Sequence, residues 1–521
     1  MNLLPIAKKV AASTIGSNLV NVKPMCGLTL EQEKEREREI RRRKLQVLMG
    51  NAKFDDFGDL PDAQTSSLIA AGYAVKNKGK IFVGNGMYSS YLPVTIKADS
   101  IDFSGQEKEN VLLRNLHNHR NNPVFYLLGD GCTVDNFSLL CGDKNYYALE
   151  SLGDDHVFEH IHVKALDGFP KVAGGIKARG DNLIFRNIFL DNSLWGMEIG
   201  SPGGIVEDCH LITDRDAISL NGENTVVRNN IIEIKLLNRA IAMQSSYNGM
   251  GNQIIEKNQI TLYSDYTINS HGIIYLSRAS GPGNTNESII RNNTVYSKVT
   301  NPFISINVNG DPNSGDVIVE NNRFYCSYTK GGQAMFLNAG NSNGSPGIIL
   351  RNNIFRGLTS RDAINISGAE CIGDEKYFAI CNNNFQMAPG AEQNTDHQFI
   401  RTRLFHYSYT DTSNTYIVNN IFEGNGYSYF IGLQDDYYLY SDYNIVYNFS
   451  KYKGDKGEII GNVNDIYDDP LYIDDELRTD DSSPSVDNGA SPTEYEFIYN
   501  RDILDTLRPQ GAKYDIGAYE K

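Results

Sequence analysis

The sequence predicts an all-β fold, a parallel β-helix running from about Gly79 to Tyr519. Two observations predict it. A motif centred on asparagine recurs along most of the chain, and a short alternating strand precedes most of its copies.

The motif reads apolar, any residue, Asn or charged, Asn, apolar. It appears as VVRNNI at 226–231, IIRNNTV at 289–295, VIVENNRF at 317–324, IILRNNIF at 348–355 and YIVNNIF at 416–422. Aligned, the copies place one residue per turn in a row: Asn136, His160, Asn187, Cys209, Asn230, Asn258, Asn293, Asn322, Asn353, Asn383, Asn420 and Asn444, at intervals of 21–37 residues. One amide per rung can donate to and accept from its neighbours, so such a row satisfies polar groups at an inward bend. His160 and Cys209 read as packing variants in the row, because neither has the companion ligands a metal needs.

The preceding strand recurs as GIKA at 175–178, GMEI at 196–199, AISL at 217–220, AIAM at 240–243, GIIY at 272–275, AMFL at 334–337 and AINI at 363–366. Its alternation gives one core face and one outer face. At about 4.8 Å per rung, some 13 rungs predict a rod of roughly 60 Å.

Before the repeats, residues 1–50 read as a separate arm. Its apolar stretch (Leu3, Leu4, Ile6, Val10, Ile15, Leu19, Val20) is followed by a charged helix over 28–49, supported by pairs such as Glu37 with Arg41. A polar linker spans 51–62. Residues 63–105 are expected to supply a capping helix, over 63–78, and the first rungs, since an open solenoid end exposes apolar side chains and unpaired backbone. The asparagine-bearing helix covers 106–450, and 451–521 is expected to form C-terminal rungs and a cap.

Charge excludes some functions. The net charge is −16, which disfavours a nucleic-acid groove, because phosphate contacts need a basic face. Seven scattered cysteines without CxxC spacing predict buried thiols rather than a disulfide framework or zinc site. No run approaches the 18 apolar residues of a membrane span, and the start lacks the apolar core of a secretory signal. Nothing calls for a cofactor or metal.

Two regions carry a family resemblance. AQTSSLIAA at 63–71 with GKIFVGNGMY at 79–88, and then DDPLYID at 468–474, SSPSVDNG at 482–489 and RPQGAKYDIGAYE at 508–520, resemble the pectate-lyase-like parallel β-helix superfamily. The resemblance implies right-handed winding. It also implies a broad set of functions: polysaccharide lyases, glycoside hydrolases, uronan epimerases, phage tail spikes and non-catalytic rods, among which fold does not choose. STIGSNLVNVKPM at 13–25 resembles a short stretch near the start of capsid-type proteins of T4-like phages. That likeness implies a virion appendage, a capsid decoration protein or tail spike, whose residues 1–50 dock on virion proteins and whose helix meets a cell-surface polysaccharide. Self-association into a homo-oligomer is compatible with such a rod. The end of the chain directly after the family-like tail favours the decoration protein over the tail spike. The alternative is a soluble or secreted polysaccharide lyase, hydrolase or epimerase.

Candidate chemistry falls on the outward positions of the alternating strand. Glu198 and Asp216 lie on adjacent rungs, as a glycosidase acid and its partner base or nucleophile require. Trp195, with Asn221 and Gln244, is placed to bind substrate. For a lyase, Lys177, Arg239 or His271 would remove the proton beside a carboxylate or neutralise the charge that develops. Tyrosine-rich segments at 407–416 and 427–447 are expected to cover loops or bind sugars.

Overall fold

A computed structural model describes residues 19–22 and, apart from short stretches mostly between strands, residues 79–521. Among the described residues there are 39 strands and no helix. The chain divides into two units, residues 1–221 with 230–232, and residues 222–229 with 233–521. Each repeats the same rung, built from three strands that extend three parallel ladders, referred to as the first, second and third sheets; long strands such as Thr133–Cys141 and Phe189–Gly200 join the ladders into one sheet. A connection that returns a strand parallel to its neighbour in one sheet winds right-handed, and the fold is a right-handed parallel β-helix.

In the first unit, the first sheet runs through Lys80–Val83, Asp102–Gly105 and the start of Thr133–Cys141, then on to Ile184–Arg186 and Ile205–Glu207. The second sheet includes Gly86–Ser90, Val111–Asn115 and His210–Thr213. The third joins Val94–Ile96, Phe125–Leu127, Leu149–Ser151, Val172–Arg179, the end of Phe189–Gly200, and Ile218–Asn221. In the second unit, Val317–Glu320, Arg323–Cys326 and Gln333–Ala339 supply the three strands of one rung. Alternation decides the faces. Inward residues are apolar, and their rings stack between rungs at strand spacing: Phe158 on Phe185 at 4.8 Å in the first unit, and Phe355 on Phe385 at 5.0 Å in the second.

Leu19–Val22 pairs in parallel with Lys80–Val83. That part of the expected arm therefore belongs to the solenoid's N-terminal edge. The charged helix over 28–49, the linker and the capping helix over 63–78 lie outside the described residues.

Between the first and second sheets the chain turns through a residue of positive φ. In the second unit this residue is Lys257, Asn292, Asn321, Asn352, Asn382, Asn419 or Tyr443, with φ from 53° to 59°. Asparagine tolerates that left-handed region better than most residues. The following residue turns inward. Asn322 Oδ1 accepts from the backbone N–H and the side-chain amide of Asn293, each at 2.9 Å. Asn322 in turn donates to Asn353 Oδ1 and to the Ile290 carbonyl, both at 2.9 Å. The same pattern links Asn353 to Asn383, Asn383 to Asn420 and Asn420 to Asn444. Each doublet thus divides the labour: the first Asn makes the turn and the second fills the buried column.

The aligned row needs correction in the first unit. Asn136, His160 and Asn187 have φ of 63°, 49° and 55°, so they are the turn residues. Register pairs Ile161 with Phe137, and places Ile188 and Cys209 one residue after the corresponding turns. The inward positions there are apolar or thiol until Asn230, whose Oδ1 accepts from the Cys209 N–H at 2.9 Å. A lone residue at the turn and the second asparagine of a doublet look alike in sequence, yet they occupy positions one residue apart. Cys209 does sit inside, fully buried, its thiol pushed up to about 12 by burial.

The column ends on an acid. Asp465 Oδ1 accepts from the Asn444 N–H at 2.7 Å and from its amide at 3.2 Å, and Tyr452 donates to Oδ2. Burial raises this carboxyl above the usual aspartate range.

Glu458–Gly461 and Ile466, which bridges Ile445 in parallel, supply the last rung. Beyond it, residues 467–521 run back over the turns of earlier rungs. Asn352 donates to Arg501 O at 2.7 Å, Asn384 to Leu477 O at 2.8 Å, and Asn419 exchanges bonds with Ala490 at 2.9 and 2.7 Å. Arg508, fully buried, donates to Asp515 O and Gly517 O and lies 3.6 Å from Glu520. Ala379, Cys381 and Val418 pack against Ala490, Phe497 and Ile498.

Two outcomes are expected. Replacing Asn322 by Ala strips acceptors from Asn293 and a donor from Ile290 O, lowering stability by about 1–3 kcal/mol for each group left unpaired. Asn321→Gly, one residue earlier, should be near neutral, because glycine adopts positive φ readily. Urea midpoints for the two variants check the assignment, and equal losses would contradict it.

A raised carboxyl such as Asp465 binds its proton more tightly in the folded state. Its stabilising contribution is therefore complete below the ordinary aspartate value of about 3.9 and is lost as pH rises through the raised folded value. The urea midpoint of wild type relative to Asp465→Asn is expected to fall over that window, measured by titrating both proteins at a series of pH values.

Candidate functional site

The outer face of the third sheet in the first unit gathers most of the predicted site residues. Its register sets Tyr126 beside Glu150, Glu150 beside Lys177, Lys177 beside Glu198 and Glu198 beside Ser219. A parallel sheet brings such neighbours within about 5 Å, so this row is a stripe of alternating charge rather than isolated groups.

A second column lies three residues earlier. Gly174 pairs with Trp195, and Asp216 occupies the corresponding place before Ile218–Asn221, its carbonyl accepting from the Gly196 N–H at 2.9 Å. Gly196 is needed there, since a Cβ would lie 2.0 Å from the Ala217 carbonyl oxygen. Because Gly174 puts no side chain between Tyr147 and Trp195, Tyr147 reaches across that rung. Its hydroxyl donates to Glu198 Oε2 at 2.5 Å.

Tyr147, Trp195, Glu198, Asp216 and Ser219 line one cavity of about 130 Å³. Glu198 stands at its rim with its side chain 44% exposed, facing Lys177 Nζ at 3.9 Å. Asp216 is buried, 8% exposed. The Arg215 guanidinium lies 4.7 Å from the Trp195 ring centroid and covers one indole face. Lys177 also sits 5.1 Å from the Tyr147 ring. The arrangement puts a solvent-facing carboxyl and a sheltered one around a single small cleft, beside an aromatic edge. Such a pair is suited to proton transfer on a bound polar substrate.

The other candidates separate. Asn221 ends the same sheet strand, in register with Gly200. Arg239 belongs to the second unit, 5.3 Å from the Tyr275 ring, and the backbone of Gln244 pairs with Ser277 there. His271 lies outside the described residues. The sequence reading missed Tyr147, whose signal was its place two residues before Leu149, the position Trp195 holds relative to Met197.

His160, expected to lack companions, has two. Its Nδ1 is 2.9 Å from Asp135 Oδ1, and ligand-type atoms of Asp135, Glu159 and His160 lie within 4.8 Å of one another. Those carboxylates already have partners, Asn136 for Asp135 at 2.8 Å and Arg186 for Glu159.

No protein-family model matches this sequence, and no curated protein does. Solved structures resemble it in fold. An alginate lyase of family PL6 in complex with a trisaccharide is 12% identical with a TM-score of 0.39, covering 92% of this chain and 93% of that one. The pectate lyase Pel9A is 10% identical with a TM-score of 0.31, covering 98% of each chain. The tailspike protein of E. coli bacteriophage HK620 in complex with a pentasaccharide is 10% identical with a TM-score of 0.36, covering 76% of this chain and 68% of that one. Likeness at this level carries no information about what this chain binds.

Proposed function

We propose that this protein recognises a polysaccharide across the outer face of the third sheet, with Tyr147, Trp195, Glu198 and Asp216 as the centre of the site. The observation that carries this reading is the single cleft shared by an indole, a tyrosine and two carboxyls on a row of outward polar side chains. Aromatic edges stack on the apolar faces of sugar rings while carboxyls and hydroxyls hydrogen-bond their rims. A long sheet face with no deep enclosure suits a polymer better than a small metabolite.

The setting we propose is a virion appendage, with the N-terminal residues as its attachment segment. Because Leu19–Val22 is a strand of the solenoid, attachment falls to the other residues of the arm. A chain lacking residues 1–18 is expected to keep its β-sheet circular dichroism and to lose co-sedimentation with particles. Unchanged co-sedimentation would exclude residues 1–18 as the attachment segment and leave glycan recognition standing.

A catalytic reading is favoured by one observation, the two carboxyls lining the same cleft. They support hydrolysis with Glu198 and Asp216 as the acid and base pair. Proton abstraction of the lyase type has less support, since the Lys177 ammonium faces Glu198.

Trp195 is the only tryptophan of the chain, so its emission reports on this site directly. A panel of bacterial surface polysaccharides is expected to include one that shifts it, and Glu198→Gln should weaken that response. If hydrolysis follows, reducing ends accumulate without unsaturated uronate absorbance, and Glu198→Gln and Asp216→Asn each lower kcat by about 100-fold or more. Turnover that survives both substitutions would show that the chemistry lies elsewhere.

A further inference from the structure

The second unit carries a larger groove on a different face, the outer side of its second sheet, with a volume of about 570 Å³. Register places Thr261, Tyr296, Tyr325, Arg356 and Gln386 in one outward row. The Tyr296 and Tyr325 rings stack with centroids 5.2 Å apart and planes 18° apart. Tyr296 is 45% exposed, which leaves part of its ring open to a ligand.

The polar half of the groove is held in place. Tyr325 donates to Glu476 Oε2 at 2.5 Å, which fixes its ring. Arg356 meets Asp475 at 2.6 Å and donates to Gln386 Oε1 at 3.3 Å, while Gln386 donates to Glu423 at 2.8 Å. Asp475 and Glu476 come from the returning C-terminal segment, which forms one side of this arrangement. The register shifts between Arg356 and Leu358, where Gly357 adopts a φ of +77° and a Cβ would lie 2.1 Å from the Cys326 carbonyl oxygen. Bulges of this kind re-aim side chains and gather beside functional sites.

We infer that this groove binds a short neutral oligosaccharide, its ring faces stacked on Tyr296 and Tyr325 and its hydroxyls hydrogen-bonded to Arg356 and Gln386. Three features select that chemistry. The volume fits a ligand of several rings. Flat aromatic surface at rung spacing matches a chain of rings with apolar C–H faces, and the guanidinium and amide in the same row supply the donors and acceptors that hydroxyls need. Arg356 has a carboxylate partner in Asp475, and Lys298 is the other cation lining the groove, so an anionic chain is the comparison that tests the preference for a neutral one. This site is separate from the third-sheet cleft and does not depend on it.

The test uses the full chain against cellohexaose, mannohexaose, maltohexaose and galactohexaose, with hexamannuronate as the anionic comparison, read by isothermal titration. At least one neutral hexaose is expected to bind. Tyr296→Ala should weaken it about tenfold, while Tyr296→Phe, which keeps the ring, should restore affinity to within about twofold. Glu198→Gln should leave this binding unchanged, and loss of the Trp195 response with retention of groove binding would separate the two sites. Binding of none of the neutral probes, equal loss in the Ala and Phe variants, or tighter binding of hexamannuronate that depends on Tyr296 would overturn the inference. Thermal melts of each variant confirm that the comparison is between folded proteins.

Discussion

The turn between the first and second sheets is where this fold is most constrained. In the second unit each rung bends inward there, and the bend buries peptide groups between the paired strands. In the second unit the asparagine after the turn resolves this, because its amide both donates and accepts along the solenoid axis. Asn293, Asn322, Asn353, Asn383, Asn420 and Asn444 each hand an acceptor to the rung before. An apolar side chain in that column would leave the N–H of the adjacent rung unpaired, at a penalty of about 1–3 kcal/mol. The rings stacked above it fix the rung spacing, and the column works only at that spacing.

The outer asparagine of each doublet has a second use. Positive φ lifts its side chain onto the surface, and in Asn352 and Asn419 that side chain grips the returning C-terminal segment. The segment contributes few strand bonds of its own. Its order comes from these clamps, from the Ala490, Phe497 and Ile498 contacts, and from Arg508, whose buried charge is met by two carbonyls and Glu520. Removing one partner of such a buried pair would leave an uncompensated buried charge, which costs several kcal/mol. The same segment then supplies Asp475 and Glu476 to the tyrosine groove, so the device that closes the turns also completes a surface site.

How legible this was varied with the physics. Strand alternation and the NN doublets were readable because they follow from period-2 side-chain direction and from one bend per rung. The row failed at Asn136, His160 and Asn187, where a lone polar residue serves the turn and the buried position is Phe137, Ile161 or Ile188. Turn and column residues are adjacent and often identical, and only backbone φ tells them apart. At the candidate site, the Lys177, Glu198 and Ser219 row was visible from spacing, and so was the adjacency of Glu198 and Asp216. Tyr147 was not, because its reach depends on Gly174 leaving the position between it and Trp195 without a side chain.

By itself the sequence determined the fold class, the all-parallel pairing and which strands face outward, because each depends on local patterns repeated at every rung. It also placed Trp195, Glu198 and Asp216 on neighbouring rungs. Only the tertiary structure decided what those residues touch, where the last 60 or so residues go, and that Asp465 rather than another amide ends the column. These outcomes rest on contacts between segments up to 156 residues apart in the chain, and no local period encodes a contact of that range.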